Sequence, residues 1–108
     1  MMQWDIVDQT FRIDRDCFDN HLIMYTLSGC LIVEQYGSEY RIPASHGILM
    51  NLHHAHKYYF SQTEHTEILW MHFRGTPCRA MLSALGEQHS FPFFFQKDSF
   101  YLVLKLYR

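Results

Sequence analysis

At 108 residues and 13.0 kDa, the chain has room for one domain, and at this size it buries roughly 65% of its unfolded surface. Nine Lys+Arg against 11 Asp+Glu give a formal net charge of -2, without the cationic surplus a nucleic-acid module needs to displace counterions from phosphates. A composition that is 48% hydrophobic and 17% aromatic, with 5 Gly and 3 Pro, excludes disorder and collagen-like or linker behaviour.

The first 20 residues read as an N-terminal arm. They carry neither a basic n-region nor an apolar h-region, so they are not a signal peptide, and no apolar run in the chain approaches the roughly 18 residues that cross a bilayer. Cys17, Cys30 and Cys78 make an odd count without C-x-x-C spacing, as expected of reduced thiols in a cytoplasmic protein. Short β-rich runs follow at 22–28, 31–36, 39–42, 47–52, 57–61 and 66–73, separated by Gly29, by Gly37-Ser38 and by Pro43-Ala44-Ser45. Gly37 as the first of two loop residues predicts a type II′ hairpin. Many short strands without intervening helices predict an all-β sandwich or barrel.

The run at 66–73 places Leu69, Met71 and Phe73 on one face and Ile68, Trp70 and His72 on the other. Both faces are too apolar for open water. Trp70 and His72 carry polar tips that suit a cavity wall, and the wholly apolar face calls for a cover. A helix is expected at 79–85, with Met81, Leu82 and Leu85 on one stripe and Gly86 after it. Residues 90–96 read as an extended buried connector. A last helix is expected over 97–108, with Phe100, Val103, Leu104 and Tyr107 on one stripe and Asp98 as N-cap. That helix has no stop signal, which predicts a chain cut from something longer. The reading is one domain, with strands over 1–75 and a helical segment over 76–108.

From Leu22 to Gly75 the chain resembles the N-terminal, effector-sensing cupin domain of the AraC family of bacterial transcription regulators. Residues 25–29 are similar to the family's Y-x-L-x-G strand end, and residues 31–40 to its L-x-V-x-G-x-x-Y hairpin. Residues 46–58 resemble G-D-L-L-L-I-P-P-G-x-P-H-x-Y, with His56 at the closing His and Tyr58 at the Tyr. Residues 69–75 are close to L-W-I-H-F-x-G. His46 replaces the acidic turn residue and Asn51-Leu52-His53 replaces Pro-Pro-Gly, so this loop is expected to take a different path at the pocket mouth.

The resemblance implies a closed jelly-roll β-barrel around a small-molecule pocket, C-terminal α-helices used for dimerisation, and a helix-turn-helix DNA-binding domain that this chain lacks. Carried over motif by motif, the ligand-binding residues are Ser28, His56, Tyr58 and Trp70. Strand alternation adds Met24, Thr26, Ile68 and His72. Trp70 offers a flat face to C–H groups, and His56, Tyr58 and His72 offer convergent donors and acceptors. Ser28 is small where a cationic side chain would favour an anion, so the expected effector is neutral: a sugar or another small metabolite. Binding is expected to order the barrel mouth and the arm and so alter contact with a partner subunit in a homodimer.

The eight histidines raise a metal alternative, since His54 and His56 are spaced as His-x-His, with His46, His65 and His72 as additions. The metal cupins resemble G-x5-H-x-H-x3-4-E in their first motif. Here the matching stretch offers Asp16, Phe18 and Leu22, and His21 stands alone. The reading is therefore no metal, no cofactor and no catalysis. Cys78 beside Pro77 and Arg79, and scattered acids such as Glu64 and Glu67, do not make an active site. A metal-dependent cupin enzyme and a stand-alone small-molecule-binding cupin remain the alternatives.

Overall fold

A computed structural model describes residues 5–7, 12–18, 21–62, 65–73 and 92–101, with the side chains of 5–7, 73 and 93 left aside. Nine strands form two antiparallel sheets. The first takes β1 (Asp5–Val7), β8 (Glu67–Phe73), β3 (His21–Ser28), β6 (His46–Asn51) and β9 (Phe93–Gln96) in that order. The second takes β2 (Arg12–Arg15), β7 (His56–Phe60), β4 (Cys30–Gln35) and β5 (Ser38–Pro43). All six strands expected from the β-rich runs are present. The arm adds β1 and β2, one edge strand for each sheet, and β9 lies in the expected extended connector.

The expectation of a closed barrel is corrected. Among the described residues no ladder joins the two sheets, so β1 and β9 are edges of one and β2 and β5 are edges of the other. The reason lies at Gly29, whose φ of 76° turns the chain sharply out of β3 and delivers β4 into the opposite sheet. Backbone at the entry to β8, the neighbour of β3 in the first sheet, presses on the bend: a Cβ at Gly29 would meet Thr66 and the His65 carbonyl. The expected C-terminal helices are corrected as well. Described helix is confined to 97–101, and it starts one residue before Asp98, which therefore is not its cap. The helix expected at 79–85 lies outside the described residues, as does 102–108.

One turn also differs. Gln35 pairs with Ser38, so the β4–β5 loop is Tyr36-Gly37, with φ of 55° and 76°. Two positive φ values make it a type I′ turn, whose twist matches the flanking strands, instead of type II′. Gly37 takes the second position and Tyr36 is forced into the left-handed region beside it.

The apolar interior between the sheets follows from period-2 alternation. Leu22, Met24, Ile48, Met50 and Ile68 from the first sheet meet Leu31, Val33, Ile42, Tyr58 and Phe60 from the second, all buried. Ile13, Tyr40 and Trp70 pack at the margin. The outer face of the first sheet is buried too, through Ile23, Tyr25, Leu49 and Met71. The described part of its cover is Phe100, whose ring lies 3.8 Å from that of Tyr25 at 3°. The outer face of the second sheet is polar, with Tyr59 donating to Glu34 at 2.8 Å and Lys57 paired to Asp14 at 3.9 Å.

Candidate functional site

The ladders sort the interior into three tiers. Arg15, His56 and Gln35 are register partners across β2, β7 and β4, opposite the end of the first sheet that carries His72, Leu22 and Met50. Next come Ile13, Tyr58 and Val33, facing Met24, Trp70 and Ile48. The third tier sets Leu31 and Phe60 near Thr26 and Ile68.

The third tier is sealed. Thr26, fully buried, donates its hydroxyl to the Ile42 carbonyl at 2.9 Å and accepts the Ser45 N–H on its own carbonyl at 2.9 Å, tying the sheets together. Met24 and Ile68, both 0% exposed, are core. Ser28 leaves this face altogether. A bulge at Leu27 shifts the register so that Ser28 pairs with Glu67, the neighbour of Ile68 and thus on the opposite side of the strand. The motif that singled out Ser28 does not show this break in the ladder.

The first tier and the Tyr58–Trp70 pair of the second, together called the polar tier below, bring His56, Tyr58, Trp70 and His72 together. The Tyr58 and Trp70 rings meet edge to face at 6.4 Å, Trp70 and His72 are 5.8 Å apart, and His56 lies nearly parallel to Tyr58 at 6.0 Å. Residues missed from the sequence complete the group. Arg15 Nη2 donates to the Tyr58 hydroxyl at 2.7 Å, and its guanidinium covers the Phe18 ring at 4.2 Å. Phe18 in turn touches His72 at 5.7 Å. Gln35 Nε2 donates to the Asn51 carbonyl at 2.8 Å. The alternation in Arg12-Ile13-Asp14-Arg15 is the signal that could have found Arg15, since a strand burying Ile13 also turns Arg15 inward.

Electrostatics follow from burial. His56 is held below the usual imidazole range chiefly by burial and also by the nearby Arg15, against the raising influence of the His54 carbonyl and Asp14. The Tyr58 phenol is pushed up by burial, which Arg15 partly opposes. His21 is lowered by burial and by His53. With its proton affinity lowered, the His56 ring is mostly neutral near pH 7, and because a carbonyl only accepts, Nδ1–H is the donor to the His54 carbonyl at 2.8 Å.

This last bond bears on the His54–His56 spacing. His54 occupies the loop before β7 and contributes its carbonyl to His56, so the two imidazoles are not a pair on one strand face. Among the described residues no three His, Cys, Asp or Glu side chains group as a metal site. The Asn51-Leu52-His53 departure has its own turn: Asn51 Oδ1 accepts from the His53 N–H at 3.0 Å and from His53 Nδ1 at 2.6 Å. A cleft of about 440 Å³ opens at this end, lined among others by Arg15, Gln35, His56, Tyr36 and Ser38.

The sandwich and its order of strands define a cupin-like domain. The family model for the AraC-like ligand binding domain matches residues 7–105, and the chain belongs to that family. Its fold is similar to that of an apo lysine-to-alanine variant of ToxT from Vibrio cholerae, with a TM-score of 0.62 at 12% identity over 99% of this chain and 48% of that one. Unsaturated-fatty-acid-bound ToxT gives 0.55 at 8% identity, over 97% and 43%. The Cupin_2 domain of an XRE family transcriptional regulator from Enterobacter cloacae gives 0.56 at 12%, over 68% and 80%. The chain thus spans about half the length of ToxT. No curated protein matches it. Among the described residues no helix is long and apolar enough to cross a membrane.

Proposed function

We propose that this domain is the effector-sensing part of a cytoplasmic transcription regulator, which binds a small molecule and does not transform it. Family membership supports the class. The observation that carries the site is the polar tier, where Tyr58, Trp70, His56 and His72 converge around Arg15 above an otherwise apolar interior. A dry core avoids such a cluster, because each buried polar group must find a partner. The ligand, a sugar or another metabolite, enters by the cleft at this end.

DNA binding then belongs to a helix-turn-helix domain outside this chain, and the working state is a homodimer. Coupling runs through the arm. Arg15 stands on β2, an edge strand of arm residues, so a ligand touching Arg15 alters how firmly the arm stays docked. Thermal-shift screening of metabolites against wild type and Trp70→Ala tests the site. A ligand that stabilises both equally removes Trp70 from it. In the full-length regulator, operator affinity and sedimentation that are both indifferent to ligand would refute the coupling.

A further inference from the structure

Within the polar tier, Arg15, His56 and Gln35 stand side by side on three hydrogen-bonded strands, and each buries one polar atom that has no hydrogen-bond partner among the described residues. The atoms are Arg15 Nε, His56 Nε2 and Gln35 Oε1. His56 and Gln35 are 2% and 3% exposed, so water does not reach these atoms freely. Direct neighbours across a ladder have Cβ atoms roughly 5 Å apart, close enough for one small group to touch adjacent members. Buried polar atoms are nearly always paired, and three unpaired ones in one row suit a polar ligand group.

The chemistry of that partner can be read from the bonds already made. Arg15 Nε–H can only donate. His56 has committed its Nδ1–H to a carbonyl, which leaves a lone pair on Nε2. Gln35 has committed its amide N–H to the Asn51 carbonyl, which fixes the amide orientation and leaves Oε1 as an acceptor. The row therefore offers one donor and two acceptors. A carboxylate would satisfy Arg15 but has no proton for the two acceptors, and an ammonium would satisfy the acceptors but meet the guanidinium. A hydroxyl accepts and donates at once. The cleft beside the row also carries Asp14, Asp16, Glu34 and Glu39 against Lys57 and Arg15, a balance that disfavours anions.

We infer that Arg15, His56 and Gln35 form the specificity-determining end of the site and read adjacent hydroxyl groups on a neutral ligand. This rests on the ligand-sensing reading above and narrows it.

The test is calorimetric titration of the chain with neutral pentoses and hexoses, the uronic acids and deoxy sugars derived from them, and oleate. A neutral sugar is expected to bind, with its uronate and one of its deoxy derivatives roughly tenfold weaker or more, the size expected for a lost bond to a buried polar group. Arg15→Met and Gln35→Met should each weaken that sugar about tenfold. The deoxy series on wild type probes the same contacts should either variant fail to fold. Unchanged sugar affinity in both folded variants would overturn the inference, leaving the row to hold a structural water. Preferential binding of a uronate or of oleate would overturn it too, and sensitivity of that binding to Trp70→Ala would preserve the sensing function. Absence of binding by every compound refutes the inference and withdraws support from the broader reading.

Discussion

Gly29 and Gly37 share a φ of 76° yet differ in what surrounds them, and replacing each by Ala separates backbone conformation from crowding. An alanine in the left-handed region costs about 1–2 kcal/mol at either position. At Gly37 nothing lies within 4 Å of the new Cβ, so that cost is the whole effect. At Gly29 the Cβ would lie 2.7 Å from Thr66 Cα and closer still to Thr66 Oγ1 and the His65 carbonyl. Two of these are main-chain atoms and cannot rotate away. Overpacking of this kind adds about 1–3 kcal/mol. Thr66 also accepts the Cys30 N–H at 3.0 Å and donates to the Cys30 carbonyl at 3.2 Å, and displacing it loosens bonds worth about 1 kcal/mol each. Gly29→Ala should therefore cost about 3 kcal/mol or more, against about 1–2 for Gly37→Ala. At roughly 4 °C per kcal/mol, thermal melts should show a fall of about 12 °C or more for the first and about 4–8 °C for the second. Equal losses would refute the close approach of the β8 entry to the Gly29 bend.

Thr26→Val keeps the volume and removes the hydroxyl that donates to Ile42, leaving a carbonyl at the sheet–sheet tie without that donor; urea melts should show a loss of about 1–3 kcal/mol. Phe100→Ala uncovers Tyr25 on the outer face of the first sheet and should cost about 3 kcal/mol by the same measurement, with a matching gain in binding of a hydrophobic dye. His56 and His21 bind protons more weakly folded than unfolded, so stability is complete above about pH 6.5 and falls as pH drops through the range between the unfolded and folded values. Melting temperatures at about pH 7.5 and 5.5 should show this loss, and His56→Gln should reduce it.

Alternation and turn residues made most of the strands legible, because a residue's side of a strand is set by local geometry. The same reasoning failed where the local rule is broken by something distant. The Leu27 bulge carries no sequence mark, and it moved Ser28 off the face that Met24 and Thr26 share. Spacing alone also left open how His54 and His56 are placed: one lies in the loop before β7 and lends its carbonyl to the other. Arg15 is not legible in the sequence because an arm of mixed polarity does not announce which strand it will join. Its value comes from pairing with His56, 41 positions later in the chain.

What the chain's own order of residues determines is the run of strands from β3 to β8, the wholly apolar and polar-tipped faces of β8, and the membership of the AraC-like ligand binding family. These rest on periodicities a few residues long. Tertiary structure alone decided that the two sheets stay open at their edges, that Met24, Thr26 and Ile68 close the interior, and that Arg15, His56 and Gln35 share one row. Register between strands is fixed by the sum of contacts across both sheets, and a shift of one residue would send every one of those side chains to the opposite face.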